Sequence, residues 1–246
     1  MAADRDLPVR ADSTGAASRA LGGTVLYPVT QRVLSPISRV IWRPVIEGRE
    51  NVPRTGAVIL ASNHLSFIDS MVIPLVAPRQ VIFLAKSEYF TGTGVRGALS
   101  RWLFTALGSV PVERDDTRAA QASLDAALAL LREGKAFGIY PEGTRSRDGR
   151  LYRGRTGVAW LALTAGVPVV PVALEGTEQI QPVGARVPRI RKVTVRFGEP
   201  LEFHERYAGV PAGRARRMVT DEVMDAIQAL SGQVRADEYN ERRPAG

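Results

Sequence analysis

The chain contains no cysteine. Disulfides, thiolate nucleophiles, iron–sulfur clusters and cysteine-built zinc sites are excluded together, and nothing in the chain senses the redox state of its surroundings. Imidazole is almost as scarce, with His64 and His204 as the two histidines. A histidine-rich metal centre is excluded by number, so no metal is expected, and proton transfer near neutral pH has two side chains to choose from. Lysine is rare too: Lys86, Lys135 and Lys192 are the three among 33 basic residues, so arginine carries the net charge of +8. Such a surface attracts nucleic acid, anionic lipid or phosphate-bearing small molecules, and charge by itself selects none of them. The arginines are dispersed without a dense basic block, which argues against a nucleic-acid-binding arm.

Long uninterrupted apolar runs are also missing. The nearest approach spans 25–43, where Leu26, Val29, Val33, Leu34, Ile37, Val40 and Ile41 recur at helical spacing against Gln31, Arg32, Ser35, Arg39 and Arg43. Arg32 and Arg39 interrupt the stripe and Pro36 would kink it, which disfavours a membrane span. An apolar face with basic residues opposite, and with Tyr27 and Trp42 near its ends, suits a helix lying in a membrane interface; packing on its own domain is the alternative. Residues 1–20 lack the short apolar core of a signal peptide and are expected to be disordered, 21–45 to hold the amphipathic helix, and 237–246 to form a charged tail.

What is present suffices for a core. A chain of 246 residues with 45% hydrophobic side chains fits one generous domain, placed at 46–236. Beyond Ile46, short apolar runs alternate with longer amphipathic stretches, the pattern of strands feeding helices. Strands are predicted over 57–62, 81–85, 136–140, 167–174 and 193–197, and helices over 95–107, 117–133, 154–165 and 214–234. The expected fold is α/β: a single domain with a mostly parallel central sheet flanked by helices, carrying the N-terminal amphipathic helix as an appendage.

In such sheets chemistry sits on loops beyond the carboxyl ends of the strands. After the 57–62 run comes Asn63-His64-Leu65-Ser66-Phe67-Ile68-Asp69. Five positions on a continuous helix would set His64 and Asp69 about 140° apart, so they meet only if the chain turns between them, with His64 in the loop and Asp69 in the first helical turn. A carboxylate on one imidazole nitrogen fixes the tautomer and leaves the other nitrogen free to remove a proton. After 136–140 comes Pro141-Glu142-Gly143-Thr144-Arg145-Ser146, where Gly143 permits a tight backbone approach and Arg145 offers a planar fork suited to phosphate. Arg114, after the short strand following Gly108, faces the same ligand if the loops converge. Arg147, Arg150, Arg153 and Arg155 are expected to be solvated, and His204 to be a surface histidine.

A rival pattern lies at Gly92, Gly94 and Gly97, a G-x-G-x-x-G with Asp115 eighteen residues further on, as in dinucleotide-binding oxidoreductases. That fingerprint must follow a strand immediately, and 87–91 intervene. No G-x-S-x-G elbow of a serine hydrolase occurs. A non-catalytic lipid-binding module would leave the His64 and Asp69 pairing without a purpose.

Four ordered motifs carry a resemblance. Asn63, His64, Ser66 and Asp69 spell N-H-x-S-x-x-D; Gly108 to Arg114 is a glycine, short strand and arginine; Tyr140 to Ser146 reads Y-P-E-G-T-R-S; and 167–172 is an apolar strand with internal prolines. Together they resemble the glycerolipid acyltransferases, the family of 1-acylglycerol-3-phosphate acyltransferases, with tyrosine at 140 where the family has phenylalanine. The resemblance implies acyl transfer from acyl-CoA or acyl carrier protein to the free hydroxyl of lysophosphatidic acid, with glycerol 3-phosphate or another lysophospholipid as alternative acceptor. It implies His64 as general base oriented by Asp69, acceptor phosphate held by Arg145 and Arg114, and further substrate contacts from Asn63, Ser66, Gly143 and Thr144. Glu142 is expected to position Arg145 or the acceptor. No cofactor beyond the donor substrate and no nucleic-acid partner are implied, and the expected location is peripheral, at the cytoplasmic face of the plasma membrane.

Overall fold

Residues 58–62 are all buried, Val58 and Leu60 entering one apolar cluster and Ile59 and Ala61 another, so helices must cover both faces of this strand. The structure, a computed structural model, describes residues 23–86, 88–112, 117–182 and 189–241. Its strands are β1 (Val45–Glu47), β2 (Val58–Ser62), β3 (Val81–Lys86), β4 (Val110–Val112), β5 (Ala136–Ile139), β6 (Val169–Glu175) and β7 (Thr194–Phe197). Its helices are α1 (Gly23–Trp42), α2 (Asp69–Val76), α3 (Glu88–Thr91), α4 (Gly94–Ala106), α5 (Thr117–Arg132), α6 (Gly157–Ala165), α7 (Thr177–Ile180) and α8 (Ala212–Ser231).

The strands form one sheet in the order β1-β7-β6-β2-β5-β3-β4, parallel throughout except between β6 and β7. The mostly parallel α/β fold expected from the apolar runs is therefore observed. From β2 the chain crosses to β3 through α2, whose Ile73 and Val76 pack into the cluster with Val58 and Leu60. From β5 it crosses the opposite way to β6 through α6, whose Val158, Leu161 and Ala162 pack into the cluster with Ile59 and Ala61, beside α5 and α8. Right-handed crossovers running in opposite directions put their helices on opposite faces, and the loops leaving β2 and β5 part at that point. A crevice at the carboxyl ends of these two neighbouring strands follows from topology alone.

Several expectations shift. β1 was not anticipated: the stretch assigned to the end of the amphipathic helix supplies Val45, which pairs with Thr194 of β7. The expected strand ends and helix starts move by one to three residues, as where α6 begins at Gly157 and not 154. Pro36 does not end α1, which runs unbroken from Gly23 to Trp42. Residues 237–241 are not a loose tail, because the Arg153 N–H donates to the Glu238 carbonyl at 2.9 Å and Asn240 Nδ2 to the Arg145 carbonyl at 3.0 Å. The segments 1–22 and 242–246 lie outside the described residues.

α1 meets the domain through few contacts. Its buried contact is the small polar Ser35, whose hydroxyl donates to the Leu75 carbonyl at 2.9 Å, and Trp42 Nε1 donates to the Arg189 carbonyl at 3.2 Å. Of the apolar stripe, Val33 is 50% and Val40 72% exposed, while Leu34, Ile37 and Ile41 line a cavity against α2. Arg32, Arg39 and Arg43 are exposed beside the stripe. No helix of the described residues is long and apolar enough to cross a membrane.

Gly138 in β5 is paired with Phe83 of β3, and a Cβ on it would fall on the Phe83 ring. Gly138→Ala is therefore expected to destabilise the fold by about 1–3 kcal/mol in urea denaturation, with Phe83→Leu in the same chain recovering most of the loss. A neutral Gly138→Ala would show that the ring has room to move.

Candidate active site

The carboxyl ends of β2 and β5 are hydrogen-bonded neighbours, Ala61 opposite Ile139, so the residues that follow each strand arrive together. His64 stands in the loop after β2, and Asp69 is the first residue of α2. The chain turns between them, as their spacing requires, and His64 Nδ1 lies 2.8 Å from Asp69 Oδ2. The same oxygen accepts the backbone N–H groups of Leu65 at 2.7 Å and Ser66 at 2.8 Å. An oxygen accepting two backbone donors acts as an acceptor toward the imidazole as well, so Nδ1 carries the proton and Nε2 keeps its lone pair. Asp69 is fully buried, whereas the His64 side chain remains 16% exposed.

The loop after β5 packs directly on this histidine. The Tyr140 ring is stacked on the imidazole at 3.9 Å between centroids and 8° between planes, and Phe83 stacks behind it at 5.2 Å. The Tyr140 hydroxyl is 3.0 Å from Ser70 Oγ in the first turn of α2. The tyrosine that departs from the motif thus links both loops, a contact the sequence did not disclose.

Glu142 takes a different task from the expected one. It is fully buried and meets neither Arg145 nor solvent: Oε1 accepts the His64 N–H at 3.1 Å and Oε2 the Tyr152 N–H at 2.9 Å. The Ser146 N–H closes the same junction on the His64 carbonyl at 2.7 Å. Burial pushes the Glu142 carboxyl up to about 7; the two backbone N–H groups pull it down, and the charges of Asp69 and Asp148 push it up.

Asn63 and Ser66, expected to touch substrate, are also buried fasteners. Asn63 accepts the Leu174 N–H at 2.8 Å and donates to the Leu174 carbonyl at 2.9 Å and to Gln233 at 2.8 Å, pinning the loop to β6 and to the stretch beyond α8. Ser66 Oγ donates to the Gln181 carbonyl at 3.3 Å. A side chain whose polar atoms are all engaged in a dry interior has little left for a ligand. Gly143 adopts the left-handed backbone, φ 78°, and lies exposed next to half-buried Thr144 and exposed Arg145. Arg114 lies outside the described residues; its strand β4 is three strands from β2, about 14 Å at the usual spacing. His204 is exposed, as expected.

The glycine pattern at 92–97 follows helix α3 and not a strand. A Cβ on Gly97 would strike the backbone of Gly92, so this pair packs on itself at the start of α4. Among the described residues no group of three or more His, Cys, Asp or Glu could hold a metal ion.

A histidine bonded to a buried carboxylate, at the switch point of a mostly parallel sheet, defines an α/β protein with a candidate site for proton transfer. The chain belongs to the acyltransferase family, whose model matches residues 43–175, more than half of its length. Over 141 residues it is 36% identical to the chloroplastic 1-acyl-sn-glycerol-3-phosphate acyltransferase of Brassica napus, covering 57% of this chain and 39% of that one. It is 26% identical over 191 residues to the 1-acyl-sn-glycerol-3-phosphate acyltransferase of Bacillus subtilis, covering 77% and 88% of the two chains. The crystal structure of the 1-acyl-sn-glycerophosphate acyltransferase PlsC from Thermotoga maritima superposes with a TM-score of 0.65 at 26% identity, covering 86% and 82%. The match spans about two fifths of the length of the plastid relatives.

The raised Glu142 carboxyl has a consequence for stability. The folded state binds this proton more tightly than the unfolded chain, so the stabilisation is complete below pH 4.5 and is lost as the pH rises through about 7. The shift corresponds to on the order of 3 kcal/mol. The unfolding free energy of wild type relative to Glu142→Gln is therefore expected to fall between pH 4.5 and 7 in urea titrations. A difference that stays flat over that window would mean that Glu142 is ionised throughout.

Proposed function

We propose that the chain transfers a fatty acyl group from a thioester, acyl-CoA or acyl carrier protein, to the free hydroxyl of lysophosphatidic acid, giving phosphatidic acid. The observation that carries this reading is the His64–Asp69 pair with Nε2 unengaged, and the names of the relatives support the acceptor. The acceptor hydroxyl gives its proton to His64 Nε2 as its oxygen adds to the thioester carbonyl. The tetrahedral adduct then expels the thiolate, which takes the proton back from the imidazolium stabilised by Asp69. No covalent acyl-enzyme is needed, in keeping with a chain that has no cysteine. Arg145 is assigned to the acceptor phosphate, with Gly143 and Thr144 beside it. The apolar cavity of about 330 Å³ between α1 and α2, lined by Leu34, Ile37, Met71, Val72 and Leu75, suits an acyl chain.

The assay that tests the reading supplies the purified chain with labelled acyl donors and either lysophosphatidic acid or glycerol 3-phosphate, and identifies the product. His64→Ala and Asp69→Asn are expected to lose about 10²–10⁴-fold in turnover, and His204→Ala nothing. If His64→Ala kept more than about a tenth of wild-type turnover, the general-base role would fall.

The protein is further proposed to act as a peripheral membrane enzyme at the cytoplasmic face of the plasma membrane. Support comes from α1, which exposes Val33 and Val40 of its apolar stripe together with its arginines. Apolar insertion resists salt, whereas each arginine near an anionic surface adds about 1 kcal/mol that salt screens. Sedimentation with anionic vesicles should show partial release at high salt and loss in the Val33→Glu, Val40→Glu double variant, whose side chains are exposed and leave the core intact. Undiminished sedimentation of that variant would remove α1 from membrane binding.

A further inference from the structure

Arg153 and Arg155 have no part in the reaction described above, yet the fold holds both with some care. The two guanidinium groups lie against one ring, their Cζ atoms 5.3 Å and 5.6 Å from the centroid of Tyr239. Both are exposed, and among the described residues neither forms an ion pair; the nearby carboxylates of Asp148 and Glu238 face Arg150, at 2.7 Å and 3.5 Å. Two exposed cations held on one ring, with no carboxylate of their own, are open to an anion.

Arg155 also stands at the candidate site. Its N–H donates to the Pro141 carbonyl at 2.8 Å, and its Nε and Cδ lie 3.0 Å and 3.1 Å from where a Cβ on Gly143 would be. It therefore covers the turn that leads to Arg145. Tyr239 is supplied by the stretch 232–241, beyond α8. That stretch runs beside 149–153: the Leu151 N–H donates to the Val234 carbonyl, the Ala236 N–H to the Leu151 carbonyl and the Arg153 N–H to the Glu238 carbonyl, each at 2.9 Å. Asn240 Nδ2 holds the Arg145 carbonyl at 3.0 Å, and the Tyr239 hydroxyl accepts from Arg217 at 3.3 Å. One strap at the end of the chain thus fixes the backbone of Arg145 and the side chains of Arg153 and Arg155.

We propose that Arg155 and Arg153, stacked on Tyr239, complete with Arg145 a cradle for a phosphate monoester, and that Tyr239 is its positioning residue. The proposal rests on the acyltransferase reading only for the source of that phosphate. The phosphate of the lipid acceptor and the 3′-phosphate of a CoA donor share the chemistry that three guanidinium forks recognise.

Calorimetric titration of the full chain with glycerol 3-phosphate, and separately with adenosine 3′,5′-bisphosphate, tests it without requiring turnover. At least one probe is expected to bind wild type, and which one binds assigns the source. Its affinity should fall about tenfold or more in Arg155→Ala and in Tyr239→Leu, the loss of one charge-assisted pair. Tyr239→Phe keeps the ring and should rescue binding, which a merely structural role for the Arg217 contact would not predict. Failure of both probes to bind wild type, unchanged affinity in Arg155→Ala, or Tyr239→Phe binding as poorly as Tyr239→Leu would each overturn the cradle. Should Tyr239→Leu not fold, Arg155→Ala, truncated at an exposed side chain, still decides. Phosphate binding without acyl transfer would sink the acyltransferase reading and leave the cradle standing; acyl transfer with binding unaltered in Arg155→Ala would do the reverse.

Discussion

Oδ2 of Asp69 accepts hydrogen bonds from the His64 ring and from two backbone N–H groups, in an interior that water does not reach. A buried carboxylate is costly unless its hydrogen bonds are made; here the chain that carries the histidine makes all of them on Oδ2, while the buried Oδ1 has no partner among the described residues. The two backbone donors shape the turn from His64 to Ser66, the turn brings Nδ1 to the carboxylate, and the carboxylate leaves Nε2 as the free nitrogen. Removing any member of this set exposes an unpaired polar group in the core as well as misplacing the base. The second carboxylate of the site, Glu142, has an analogous task on the neighbouring loop, fastening the His64 and Tyr152 backbones. One acid holds His64 through its ring and the other through its main chain.

These loops meet because of the sheet and not because of any affinity of their own. β2 and β5 are parallel neighbours whose onward helices leave to opposite faces, so the crevice at their ends is kept open by topology. Gly138 makes room for Phe83, Phe83 backs Tyr140, and Tyr140 covers His64, which gives an unbroken aromatic path from the middle of the sheet to the imidazole. A histidine clamped between a carboxylate and a tyrosine ring loses little conformational freedom on binding a ligand.

Beside the arginines in surface ion pairs, such as Arg196 with Glu47 and Arg206 with Glu222, two further groups stand out. Arg49 caps the end of α2 through the Val76 and Ala77 carbonyls, and Arg79 ties the Pro53, Gly56 and Gly134 carbonyls at the far end of the sheet. Those groups are structural, each replacing a backbone partner that the loops do not provide. Arg145, Arg153 and Arg155 form no ion pair among the described residues; Arg153 and Arg155 share the Tyr239 ring, and the Arg155 N–H donates to the Pro141 carbonyl in the loop after β5. Net charge alone could not separate the two groups, since every arginine adds the same unit charge to the +8.

Local pattern was enough for the longer strands and helices, because buried strands and amphipathic helices write their periods into the chain; the dyad was legible through the four-motif resemblance, the five-residue spacing saying only that the two residues can meet across a turn. β1 escaped, being three residues long and half-buried, too short to show a period. The fates of Asn63, Ser66 and Glu142 also escaped, since a motif identifies which residues stand together but not whether their polar atoms face a ligand or a backbone. The same holds for the strap at 232–241, whose irregular chain follows no repeat. Sequence by itself determined the elements, the dyad and the family pattern. Only the tertiary structure decided which polar groups are consumed in holding the loops and which remain free, because that depends on neighbours brought together from 78 to 170 positions apart, as His64 is to Glu142 and Asn63 to Gln233.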